Sequence, residues 1–153
     1  MGKFSEGDFL KLIDLLTEKK KLADEFLELT CKQAEIIAAE DINALNVSIE
    51  KRQQVIEKLI GLHQEIQFLM QSYASSHAAQ TEEGSRKVRQ MEEQTENAIR
   101  EAISKNNENA EAIKKQMEYV GQEARKIDLE RKSIGMYNNI SALTTSELFD
   151  KTF

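Results

Sequence analysis

The chain has 153 residues, 40% hydrophobic and 31% charged, with 6 Gly, no Pro and no Trp. Such a balance solvates most of the charge and confines the apolar residues to narrow faces, and a chain without Pro runs long helices unbroken. It argues against a β-sandwich, a doubly wound α/β enzyme or a disulfide scaffold. The net charge of -6, from 27 acidic and 21 basic residues, offers nucleic acid no basic footprint and gives an anionic membrane little to attract. The single cysteine, Cys31, cannot form an intramolecular disulfide, which fits a reducing compartment.

The opening stretch Met1-Gly2-Lys3-Phe4-Ser5-Glu6 lacks the apolar run of a signal peptide. No later run approaches the roughly 18 apolar residues that cross a bilayer, so no membrane insertion is expected. The expectation is a soluble, intracellular, cytoplasmic protein.

The first periodic segment spans about Asp8 to Ala39. Alternating steps of four and three pick out Phe9, Ile13, Leu16, Lys20, Ala23, Leu27, Thr30, Ala34 and Ile37, a heptad seam with one basic interruption. A second row, Leu12, Leu15, Leu22, Phe26, Leu29 and Ile36, widens the apolar face beyond what one partner helix needs. Ser5, with Asp8 three residues on, is a start signal of capping-box type.

Glu40-Asp41-Ile42-Asn43 reads as a turn, with Asp41 or Asn43 as the next cap. The second helix runs from about Asn43 to Tyr73. Its seam is Leu45, Ile49, Arg52, Ile56, Leu59, His63, Ile66, Met70 and Tyr73, with Val55, Leu62 and Leu69 alongside. Two helices of nearly equal length on a short link imply an antiparallel hairpin.

Ala74 to Thr81 is small, polar and without periodicity, and reads as a connection. The pattern resumes near Glu82 and continues to Ile134. It is weak at first, with Val88, Met91 and Ala98, and regular from Ile99 through Ile103, Asn106, Ala110, Ile113, Met117, Val120, Ala124, Ile127, Arg131 and Ile134. This third helix would be about 75–80 Å long and overshoot the hairpin by some 25–30 Å. Either it breaks, or the protein self-associates, or a partner covers Ile113, Met117, Val120, Ala124, Ile127 and Ile134. Gly135 then stops the helix.

The last residues are rich in Ser, Thr and Asn yet carry Met136, Tyr137, Ile140, Leu143, Leu148, Phe149 and Phe153. Apolar content of that kind fits a segment that orders on binding. The fold class is therefore all-α: an antiparallel hairpin over 8–73, a long helix over 82–134 and a flexible tail over 135–153, within one helical domain of 1–153.

Catalytic and cofactor chemistry finds no foothold. The chain has no Gly-rich phosphate loop, no Cys pair and no G-x-S-x-G, and its only histidines are His63 and His77. A zinc site needs several convergent ligands. No enzyme activity, metal or cofactor is expected, and His63 and Cys31 read as core or boundary residues. Lys20, Arg52, Asn106 and Arg131 stand at core-like steps. Either their long side chains reach the edge, or they set register as buried polar residues.

In its Leu- and Glu-rich first helix, the Ala39-Glu40-Asp41-Ile42-Asn43-Ala44-Leu45 turn and Glu50-Lys51-Arg52-Gln53-Gln54, the hairpin resembles the FlgN family of flagellar type III export chaperones. Gln33, Ile36, Ile37, Asp41, Leu45, Lys51, Gln54 and Leu59 follow the family's pattern, which covers about residues 9–70. The Tyr137 segment and Phe149-Asp150-Lys151 are also similar to members of the family.

The resemblance implies a chaperone of hook-associated proteins, which it keeps from early assembly and delivers to the cytoplasmic part of the flagellar export gate. It implies cargo binding by the C-terminal part and gate binding by Tyr137, while the apolar content of the tail itself points to tail contacts through Ile140, Leu143, Leu148 and Phe149. The alternatives are a flagellin or filament-cap chaperone of the same class and a structural coiled-coil adaptor.

Overall fold

The computed structural model describes residues 4–131, with side chains to Lys126. Regular structure among them is entirely helical: α1 (Glu6–Ala38), α2 (Ile42–Tyr73), α3 (His77–Gln80) and α4 (Glu82–Arg131).

Each helix end has a chemical cause. The Ser5 hydroxyl accepts the Asp8 N–H at 3.0 Å, and the Ser5 N–H donates to Asp8 Oδ2 at 2.9 Å. This reciprocal box satisfies two N–H groups that a helix start leaves free. The same bonds hold the Asp8 carboxyl below its ordinary range. At the other end of α1, the Asp41 N–H donates to the Ile36 carbonyl and the Glu40 N–H to the Ile37 carbonyl. That pair of bonds is a Schellman closure, which needs a left-handed residue between helix and exit. Glu40 supplies it, with φ of 58°. Asp41 rather than Asn43 then caps α2, accepting the Ala44 N–H at 3.0 Å.

The expected loop after Tyr73 contains one helical turn, α3. Ser76 caps it by accepting the Ala79 N–H. Thr81 ties the corner into α4: its hydroxyl donates to the Ala78 carbonyl at 2.8 Å and accepts the Gly84 N–H at 3.1 Å. A side chain on Gly84 would meet the Ala78 carbonyl oxygen at 2.5 Å, so this corner closes only around glycine.

α1 is the central helix. It lies close along both α2 and α4, whereas α2 and α4 stand further apart from each other. This is why its apolar face is two rows wide. Contacts of Gln33 with Arg52 and of Lys19 with His63 fix α1 and α2 as antiparallel. Asn109 bonds to Thr30 and Gln116 to Ile37, each pair 79 residues apart, so α4 runs parallel to α1 at constant offset.

The core falls into apolar clusters stacked along the bundle. One gathers Leu12, Ile13, Leu16, Ile66, Tyr73 and Val88, with Phe4 and Phe9 packed on the Tyr73 ring. The next holds Leu22, Phe26, Val55, Ile56, Leu59 and Ala102. The third holds Ile37, Leu45, Ile49 and Ile113. A polar layer of Gln33, Arg52 and Asn106 separates the second from the third.

The third-helix seam differs from the sequence expectation. α4 is continuous for 50 residues. It buries Val88, Thr95, Ala98, Ala102, Asn109 and Ile113, while Ile103 is exposed and Ile99 and Ala110 are half-buried. Between Ala98 and Asn109 the buried row lies one position before the expected one, because Ala98 and Ala102 let the α4 backbone approach α1 and leave the larger isoleucines at the edge. Ile113 and Ala124, by contrast, are buried at their expected steps. Three smaller expectations also change. Cys31 is exposed rather than packed, Ala34 yields its core step to Gln33, and His63 is exposed rather than a core or boundary residue. Ile134 and the Gly135 stop lie outside the described residues.

Phe26 and Leu59 are each 2% exposed. Phe26→Ala or Leu59→Ala should cost about 2–5 kcal/mol in urea unfolding, and losses below about 1 kcal/mol at both would contradict this core. Glu40→Gly should stabilise by up to about 1 kcal/mol, since the left-handed conformation penalises a Cβ. A loss of stability on that substitution would contradict the turn.

Candidate functional site

Two features distinguish this bundle from a uniform coiled coil. The first is a buried polar layer across its middle. Arg52, 2% exposed, points from α2 between the other two long helices. Its Nη1 donates to Gln33 Oε1 on α1 at 2.8 Å and to Asn106 Oδ1 on α4. Next to it, Asn109 Nδ2 donates to the Thr30 carbonyl at 2.9 Å, and Thr30 Oγ1 donates to the Phe26 carbonyl at 2.7 Å. Among the described residues no carboxylate pairs with Arg52. Burial accordingly pushes its guanidinium below its ordinary pKa. Gln33 Nε2, Arg52 Nε and Ser48 Oγ find no protein partner.

Of the polar seam residues, Arg52 and Asn106 thus join the helices. Lys20 instead turns outward and pairs with Asp24 at 3.1 Å across one helical turn. The Arg131 side chain lies outside the described residues.

The second feature is the far end of α4. By the offset of 79, Ala38 at the end of α1 lies level with Met117. Residues 118–131 continue beyond it for about 21 Å. The bundle closes at Ile113, which is buried, and at Met117, which packs partly against Ile37, Leu45 and Ile49. Gln116 Nε2 ties this level to the Ile37 carbonyl at 2.6 Å.

Past that level, Tyr119 and Val120 are exposed and Ala124 is buried. The expected cargo row is therefore divided between the closed end of the bundle and the projecting helix. Ile127 lies on the projecting helix, with its side chain outside the described residues. Ile134, Tyr137, Ile140, Leu143, Leu148 and Phe149 lie wholly outside them. Tyr119 was not singled out by the periodicity, because it stands beside the apolar row rather than on it.

No group of three or more His, Cys, Asp or Glu side chains among the described residues is arranged to hold a metal ion. No helix among them is long and apolar enough to cross a membrane.

The family model described as FlgN protein matches residues 3–141. No curated protein and no solved structure matches the chain significantly.

Arg52→Ala should destabilise by about 2–4 kcal/mol, because it leaves the buried Gln33 and Asn106 oxygens unpaired. Replacing the layer together, as Gln33→Leu, Arg52→Met and Asn106→Leu, should leave stability unchanged or raise it by about 1–4 kcal/mol. Urea unfolding of both variants checks this. A triple variant weaker than Arg52→Ala would mean that the layer stabilises rather than specifies.

Proposed function

The chain belongs to the FlgN family of flagellar export chaperones, and from that premise we propose that it binds hook-associated proteins in the cytoplasm. It keeps them from assembling early and delivers them to the cytoplasmic part of the export gate. The observation that carries this reading is the length of α4, which runs past the bundle end with Tyr119 and Val120 exposed. A helical terminal segment of a cargo protein would lie against that projection as a helix in a groove. Each Å² of apolar surface it covers contributes about 25 cal/mol, part of it offset by ordering the chain.

In this proposal the cargo surface starts at the Ile113–Met117 end of the bundle. It continues through Val120 and Ile127 to Ile134, with Tyr119 at its side, while Ala124, buried in the free chain, would join it only if what covers it is displaced. Ile140, Leu143, Leu148 and Phe149 make further cargo contacts. Tyr137 is assigned to the export gate on the family resemblance. Filament-cap proteins and flagellin are the alternative cargoes of the same class.

Capture of hook-associated proteins from a motile host tests the reading, with the full chain and with residues 136–153 deleted. The deletion should leave helix content and melting nearly unchanged and weaken capture at least about tenfold, equal to about 1.4 kcal/mol. Ile127→Asp should likewise weaken capture, while Tyr137→Ala should spare cargo and impair gate binding. Undiminished capture by the truncated chain would remove the tail from the binding surface. Capture of no flagellar protein by either form would leave only the adaptor reading.

A further inference from the structure

The separation of α2 from α4 leaves a groove of about 310 Å³, lined by Leu59, Ile60, His63 and Gln64 of α2, Ile99 of α4 and Lys19 of α1. Ile60, 47% exposed, stands on one side. Ile103, 39% exposed, continues the Ile99 edge one turn further along α4. Lys19 is half-buried, and its Nζ lies 3.0 Å from His63 Nδ1. An ammonium can only donate in that contact, so the imidazole accepts through Nδ1 and brings no negative charge to Lys19. No carboxylate lines the groove, and Glu92 is the acid that acts on Lys19 through space. Burial nevertheless outweighs Glu92 and pushes the Lys19 ammonium below its ordinary value.

We propose that this groove seats a fourth helix, supplied by another protein: an amphipathic segment with aliphatic anchors on one face and a carboxylate beside them. The anchors cover Ile60, Ile99 and Ile103 and complete a four-helix arrangement around α1. The carboxylate meets Lys19, where a charge-assisted bond replaces the contact with a neutral imidazole. The competing occupant is the chain's own C-terminal segment. Leu148 lies 17 residues past Arg131, and the roughly 48 Å of helix from Arg131 back to the level of Ile99 is within the reach of an extended chain at about 3.4 Å per residue. A gain of peptide affinity on deleting residues 136–153 would therefore assign the seat to that segment and overturn the proposal.

The inference rests on the export-chaperone reading, and gives a helical cargo a second contact away from the projecting end of α4. The probe is a fluorescent synthetic helix of about 18 residues, with Leu at i, i+4, i+7 and i+11 and Glu at i+3, set against a twin with Lys in place of Glu. Titrated into the full chain, the Glu peptide should bind at least about tenfold more tightly than its twin. Lys19→Gln should abolish that preference. Ile60→Asp, at a half-exposed position, should weaken both peptides about tenfold while circular dichroism stays unchanged.

Equal binding of the two peptides, binding of neither, or indifference to Ile60→Asp would overturn the proposal. So would a dimer in sedimentation that Ile60→Asp disperses, since the seat would then belong to a second copy. Capture of hook-associated proteins is scored separately on the same variants. Intact capture without the peptide preference removes the groove and keeps the chaperone reading. A peptide preference without any capture does the reverse.

Discussion

A guanidinium buried without a carboxylate partner can be satisfied in only a few ways, and the bundle is arranged around one of them. Arg52 reaches from α2 to an amide oxygen on each of the other long helices, Gln33 on α1 and Asn106 on α4. Leaving such a charge unpaired in an interior costs several kcal/mol. A slip of α1 or α4 by one residue turns its amide away by about 100° and strands the cation. Apolar clusters are less exacting, since aliphatic side chains repack with modest loss. The polar layer therefore selects the register that the clusters above and below it then fill.

That register has consequences at both ends. It sets the constant offset seen where Asn109 meets Thr30 and Gln116 meets Ile37. With that offset the start of α4 lies beside the start of α1, and the Thr81–Gly84 corner must fold tightly to deliver it there. All of the excess length of α4 emerges at the opposite end. A projecting helix is thus the necessary result of a long helix held in fixed register against a shorter one. The small residues Ala98 and Ala102 draw α4 onto α1, and the space left toward α2 becomes the groove at Lys19 and His63.

The hairpin was legible in the sequence because its signals agree. Apolar residues recur at helical spacing, Ser5 and Asp8 form a recognisable cap, and Leu45, Ile49, Arg52, Ile56 and Leu59 are all buried at their expected steps. The α4 face from Ile99 to Ala110 was misread by one position because periodicity weighs large aliphatic residues most, whereas Ile113 and Ala124 are buried where expected. This helix buries Thr95, Ala98, Ala102 and Asn109 and keeps Ile103 at the edge. Cys31 illustrates the same limit, since a small apolar residue near a seam can face either way. At the turn, Glu40 takes the left-handed conformation without the glycine that would have announced it. Arg52 was visible as an anomaly on the seam, but its partners were not, because Gln33 and Asn106 come together only in three dimensions.

The central claim is that the Gln33–Arg52–Asn106 layer sets the register of α4 against α1. The natural exposed Cys31 supplies one attachment point for a spin label, and Glu111→Cys, close to the same level on α4, supplies the other. Electron-spin distance measurement on this pair should give one narrow distribution with the layer intact. With Gln33→Leu, Arg52→Met and Asn106→Leu in the same chain it should give a broadened or shifted one, even though the fold stays helical. A distribution that remains narrow and unshifted in the apolar variant would contradict the account and assign register to the apolar clusters alone.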